Sequence, residues 1–155
     1  MHDIYVGGIS DKSWREEFKQ KFPSQYSILD PFVDNFSDLD KSQQTDEIAR
    51  DFLMMDNAKI LVFYFNTTEQ GQATRLKLGD AVGRGKQIIV CVENETKGKE
   101  FLETYFNYRG ISISHSIDEL VQDAVEMLEQ TKLSKKSATP ALKGGACTLT
   151  EYIEQ

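Results

Sequence analysis

The side chains with the clearest chemical potential follow an apolar run at residues 60–65, in the stretch from Thr67 to Lys77. Thr67 and Thr68 stand ahead of a predicted helix, whose free N–H groups and dipole favour negative charge. Arg75 offers a guanidinium suited to two-point contact with a phosphate, and Lys77 offers a point charge. Two residues apart, they do not stack on one helix face. They therefore read either as an anion site or as decoration of a solvated surface. Phe32 and Phe36 lie in an acidic stretch and either stack on a base or pack back on their own domain. Metal chemistry lacks ligands, since His2 and His115 are isolated and Asp34, Asp38 and Asp40 lack EF-hand spacing. Gly7, Gly8 and Ser10 make a turn too short for a Walker loop, without its Gly-Lys-Ser/Thr ending. No metal and no cofactor is expected.

The elements that must position these groups alternate along the chain. Residues 3–9 read as a strand running into a glycine turn. Ser13 and Glu16 have capping-box spacing for a helix to about Phe22, stopped by Pro23. Residues 26–29 read as a second strand, and 30–44 as a long polar loop. A helix over about 45–57 turns Ile48, Phe52 and Met55 toward the core. Residues 60–65 and 87–92 are continuous apolar runs, the pattern of strands buried on both faces. Between them, 70–83 predicts a helix with Leu78, Ala81 and Val82 inward. Residues 97–108 predict another helix and 111–113 a short strand. Ser116 and Glu119 have capping-box spacing for a last helix to about Thr131, with Leu120, Ala124, Val125 and Leu128 inward. This alternation implies an α/β fold, a flavodoxin-like three-layer sandwich with a five-stranded parallel sheet in the order 2-1-3-4-5. Residues 1–131 form the domain, and 132–155, rich in Lys, Ser, Ala and Gly, form a flexible tail.

In such a sheet, ligands sit beyond the carboxyl ends of the strands, where strand order reverses. That places residues 7–14, 65–72 and 92–98 at a site, with 30–44 able to fold over it. Composition narrows the ligand. A chain of 155 residues with 28% charged and 39% hydrophobic residues is one globular domain. Its net charge of −7 speaks against nucleic-acid binding, though not against one nucleotide in a local basic pocket. Two cysteines in unlike settings, Cys91 and Cys147, point to a reducing compartment rather than a disulfide scaffold. No apolar run approaches membrane-spanning length and no signal pattern opens the chain, so a cytoplasmic protein without membrane contact is expected.

The order of several short motifs over residues 3–93 resembles the nucleoside 2-deoxyribosyltransferase family. Ile4, Tyr5, Val6, Gly7 and Gly8 resemble its opening strand, and Trp14-Arg15 and Asp30-Pro31 resemble landmarks of some branches. Arg50, Asp51, Met55 and Ala58 resemble its Arg-Asp…Met…Ala-Asp pattern, with Lys59 in the aspartate position. Gly79, Ala81, Gly85 and Lys86 resemble the end of its Gly-x-x-Glu-Leu-Gly-x-Ala…Gly-Lys segment. The resemblance implies a nucleoside-like ligand, a homo-oligomer, and a C-terminus able to enter an active site, which would concern Tyr152. It makes Asp51 an active-site carboxylate and Tyr5 one wall of a pocket.

Lys77 stands where that family places its nucleophilic glutamate. A carboxylate there attacks the anomeric carbon and displaces the base. A lysine opposes the oxocarbenium-like charge that develops. Arg75 replaces a small glycine, and Gly71 stands near a position often held by aspartate. Glu69 is a relocated nucleophile by chemistry, although eight residues out of register. The expected protein binds a nucleotide or nucleoside-like molecule, senses or sequesters it, and lacks standard glycosyl transfer. The binding set is Tyr5, Gly7, Gly8, Phe36, Thr68, Arg75 and Lys77. The alternatives are an active 2-deoxyribosyltransferase or N-glycosidase using Asp51 or Glu69, and a protein-interaction module with a vestigial cleft.

Overall fold

The computed structural model describes residues 1–66 and 72–137. The strands are β1 (His2–Gly8), β2 (Ile28–Leu29), β3 (Ala58–Phe65), β4 (Ile88–Val92) and β5 (Ser112–Ser114). The helices are α1 (Lys12–Lys21), α2 (Lys41–Asp56), α3 (Gln72–Gly83), α4 (Lys99–Tyr108) and α5 (Ile117–Ser137). All strand pairs are parallel, and the order is β2-β1-β3-β4-β5, as the alternation predicts. The order reverses beside β1, which pairs with β2 on one side and β3 on the other.

Alternation along the strands builds two cores from one sheet, because successive side chains point to opposite faces. Ile4, Val6, Ile60, Val62, Ile89 and Cys91 meet Trp14 and Phe18 of α1 and Leu120, Ala124 and Leu128 of α5. Tyr5, Leu61, Phe63, Phe65, Val90 and Val92 meet Met55 of α2, Leu78 and Ala81 of α3 and Phe106 of α4. Each central strand therefore needs apolar residues at every position, which explains its unbroken hydrophobic run. Tyr5 is the informative member of the second core, since its ring packs there while its hydroxyl emerges at the helix layer.

Several boundaries differ from expectation. Helix α1 is capped by Asp11, whose carboxylate accepts from the Ser13 N–H at 2.9 Å, so Ser13 falls inside the first turn. The stretch 30–44 is shorter as a loop, since it contains a 3-10 turn at Phe36–Asp38 and the start of α2. The signal is a capping box built on Asp40 and Gln43, each side chain bonding the other's backbone N–H. On α2 only Met55 is fully buried, Phe52 packs partly against the core, and Ile48 is 50% exposed. At α5, the Ser116 hydroxyl accepts from the Glu119 N–H, but the Glu119 carboxylate accepts from the His115 N–H instead of closing a box. Helix α5 runs on to Ser137, with the Lys132 amine donating to Tyr26 and to Glu129. Residues 138–155, Cys147 and Tyr152 among them, lie outside the described residues. No helix among the described residues is long and apolar enough to cross a membrane.

Candidate functional site

A cavity of about 380 Å³ opens where the strand order reverses. Its walls come from Gly8 at the end of β1 and Ser10 after it, Pro31, Phe32, Val33 and Phe36 after β2, and facing turns of α2 and α3. The volume lies at the small end of the range that holds a small organic ligand.

The floor rests on Arg15, a charged residue of α1 that is only 3% exposed. Its Nη1 donates to the Val6 carbonyl at 2.8 Å and to Asp30 Oδ1 at 2.6 Å, and its Nη2 donates to the Gly8 carbonyl at 3.3 Å. The guanidinium also lies over the Trp14 and Phe32 rings, 4.8 and 5.4 Å from their centroids. One side chain thus ties the end of β1 to the loop after β2. Lys19 adds a second cation to Asp30 at 2.8 Å. Burial raises the Asp30 carboxyl, but the Lys19 hydrogen bond and the Arg15 charge outweigh it and hold the group below the usual carboxylate range. On α3, the Thr74 hydroxyl donates to the same Gly8 carbonyl at 2.8 Å, fixing the first turn of that helix against β1.

Gly8 is required at this junction. Its φ is +147°, and a Cβ there would lie 2.7 Å from the Tyr64 carbonyl oxygen and 2.9 Å from a Trp14 ring carbon. Trp14 itself stacks on Tyr64 with ring centroids 4.5 Å apart.

The chemistry-bearing group sits between α2 and α3. Lys77 Nζ lies 2.6 Å from Asp51 Oδ2 and 3.5 Å from the Tyr5 hydroxyl, while that hydroxyl donates to Asp51 Oδ1 at 2.5 Å. Both charged side chains are mostly buried, 17% and 16% exposed. Burial first, and then the Asp51 charge, push the Tyr5 phenol well above its ordinary range, so it stays a proton donor. Each oxygen of Asp51 is therefore engaged, one by a cation and one by a phenol.

The expected site residues divide as follows. Gly8, Phe36, Asp51 and Lys77 border the cavity, and Tyr5 reaches its charged pair from beneath. Gly7 packs inside instead, with no room for a Cβ between the Tyr5 and Phe63 rings. Arg75 is half-buried on α3 but does not border the cavity. Its neighbours Thr74, Leu76 and Lys77 do. Thr67, Thr68, Glu69 and Gly71 lie outside the described residues. No residue of 92–98 borders the cavity. Lys59 pairs with Asp3 at 2.6 Å at the start of β3, the opposite end of that strand from the cavity.

Arg15 and Thr74 carry more of the site than sequence reasoning assigns them. The available signal was polarity on an apolar helix face: Arg15 precedes Phe18 by three residues, and Thr74 precedes Leu78 by four. Cys91 is buried, and burial pushes its thiol up to about 12, which leaves it inert as a nucleophile. Among the described residues, no cluster of His, Cys, Asp and Glu could hold a metal ion.

Comparison with known proteins gives the frame for this geometry. No curated protein matches the sequence. A crystal structure of a conserved protein from Enterococcus faecalis V583 superposes with a TM-score of 0.54 at 11% identity, covering 82% of this chain and 99% of that one. At that identity the likeness concerns the fold alone. The family model described as "Nucleoside 2-deoxyribosyltransferase like" matches residues 1–95, which include β1 to β4, the cavity and the Lys77–Asp51 pair. The chain belongs to the nucleoside 2-deoxyribosyltransferase-like family.

Proposed function

We propose that this protein binds a nucleoside or nucleotide in the cavity between α2, α3 and the loop after β2, and does not carry out glycosyl transfer through the family's glutamate. The observation that carries this reading is the closed Lys77–Asp51–Tyr5 set at the cavity wall. A nucleophilic carboxylate needs a free lone pair and tolerance for positive charge at the anomeric carbon. Here the position offers an ammonium, and among the described residues the carboxylate beside it, Asp51, is neutralised by it. Aromatic and aliphatic walls, with Phe32 and Phe36 on one side and Ile48, Phe52 and Leu76 on the other, suit a planar base. Sensing or sequestering the ligand, as a cytoplasmic homo-oligomer, is the corresponding role.

Thermal shift tests the binding. A ligand at about a hundred times its Kd adds roughly 2.7 kcal/mol of stability. The midpoint should rise with at least one deoxynucleoside or nucleotide, and by more than with free pentose at equal concentration. No rise with any of them would count against the reading.

A second reading is favoured by one observation, that Asp51 borders the cavity. In that reading Asp51 is the nucleophile of an N-glycosidase or deoxyribosyltransferase, and ligand binding draws Lys77 away from it. Free base released by the wild type and lost in Asp51→Asn would establish it.

A further inference from the structure

We propose that Lys77 is a Schiff-base nucleophile, which captures the open-chain aldehyde of a small sugar in the cavity. Three features of the geometry meet at this one amine. Lys77 borders the cavity yet is mostly enclosed, so a bound carbonyl compound meets it with little competing water. Asp51 lies 2.6 Å away and is positioned to take the ammonium proton. Tyr5, hydrogen-bonded to the other Asp51 oxygen, is a second proton donor to the same carboxylate. An amine, a carboxylate and a phenol within hydrogen-bond reach form the set that imine formation requires.

The step balances without a further reagent. Asp51 accepts the proton of the Lys77 ammonium, and the free amine attacks the aldehyde carbon, forming a C–N bond as the C=O pair moves to oxygen. That oxygen takes the proton back from Asp51 and gives the carbinolamine. The nitrogen passes its extra proton to Asp51, and its freed lone pair then expels the hydroxyl, protonated by Asp51, as water, so that the protonated imine and the carboxylate remain. The sum is amine plus aldehyde giving imine plus water, with no change in oxidation state. The choice of a sugar aldehyde rests on the ribosyl reading of the cavity, whereas the lysine chemistry does not. Nucleoside binding is read separately by thermal shift, so failure of one leaves the other measurable.

The test treats the full chain with 2-deoxyribose and sodium cyanoborohydride and maps the reduced adducts by peptide mass. Every lysine sees the same small fraction of open-chain aldehyde, so relative labelling is an internal control. Adduct at Lys77 should form roughly a hundredfold faster than at the exposed Lys12 and Lys41, and Asp51→Asn should slow it. Lys77→Arg, which keeps a cation beside Asp51, should keep its native circular dichroism and lose the fast adduct. Labelling that follows exposure, with Lys77 no faster than Lys12, would overturn the proposal. So would equally fast labelling of Lys77 in Asp51→Asn.

Discussion

Lys77 Nζ and Asp51 Oδ2 stand 2.6 Å apart and join α3 to α2 at the cavity wall. Breaking a mostly buried pair costs more than it gains to form, because the remaining charge stays desolvated. Lys77→Met should lower unfolding free energy by about 2 kcal/mol, and Asp51→Asn combined with Lys77→Met should recover part of that loss. Urea denaturation of the single and double variants measures both. Additive losses would show that the two groups do not interact.

Arg15 should be more sensitive still. It satisfies two backbone carbonyls and one carboxylate from a buried position. Arg15→Leu removes a donor from all three, although Thr74 still serves the Gly8 carbonyl and Lys19 still serves Asp30, and should cost about 3 kcal/mol; Arg15→Lys should recover only part of it, since an ammonium cannot reproduce the fork. The Asp30 carboxyl is depressed by Lys19 and Arg15. Its stabilising contribution is therefore present above the unfolded-state value near 4 and lost as pH falls below it. Asp30→Asn should flatten the acid limb of a stability-versus-pH curve.

The fold was legible in the sequence because its signals are local or periodic. Continuous apolar runs marked β3 and β4, and their alternation with helical segments implied the parallel sheet. The start of α2 was missed because Asp40 and Gln43 sat in a stretch read as loop by its polarity. The site was legible only in outline. Asp51 and Lys77 are twenty-six positions apart, and nothing in spacing shows that α2 and α3 face each other with those two residues in phase. Arg75 shows the converse, since its charge suggests a place at the cavity while its position on α3 leaves it off the lining.

Tyr5 offers a pH signature at the alkaline end. Its phenol is pushed well above the ordinary range by burial and by Asp51, so the folded state holds a proton that the unfolded state loses near pH 10. The associated stability is complete below about pH 10 and declines above it. Tyr5→Phe should reduce that alkaline slope and cost about 1 kcal/mol at neutral pH through the lost hydrogen bond. Ultraviolet titration should show one fewer late-ionising tyrosine in the variant.

Gly8 should tolerate no side chain. Gly8→Ala places a Cβ against the Tyr64 carbonyl and the Trp14 ring, in a backbone region that disfavours L-residues. A loss of about 2 kcal/mol or more is expected. Trp14 is the single tryptophan, so intrinsic fluorescence reports its displacement from Tyr64 directly. An unchanged emission spectrum would place the strain elsewhere.

In the proposed function the cavity is kept while glycosyl transfer is closed off by Lys77 and the Asp51 it neutralises. Incubation of the wild-type chain with deoxynucleosides and deoxynucleoside monophosphates, followed by chromatography for free base, tests it most directly. No release above background is expected from the wild type. Release by the wild type that disappears in Asp51→Asn would contradict it.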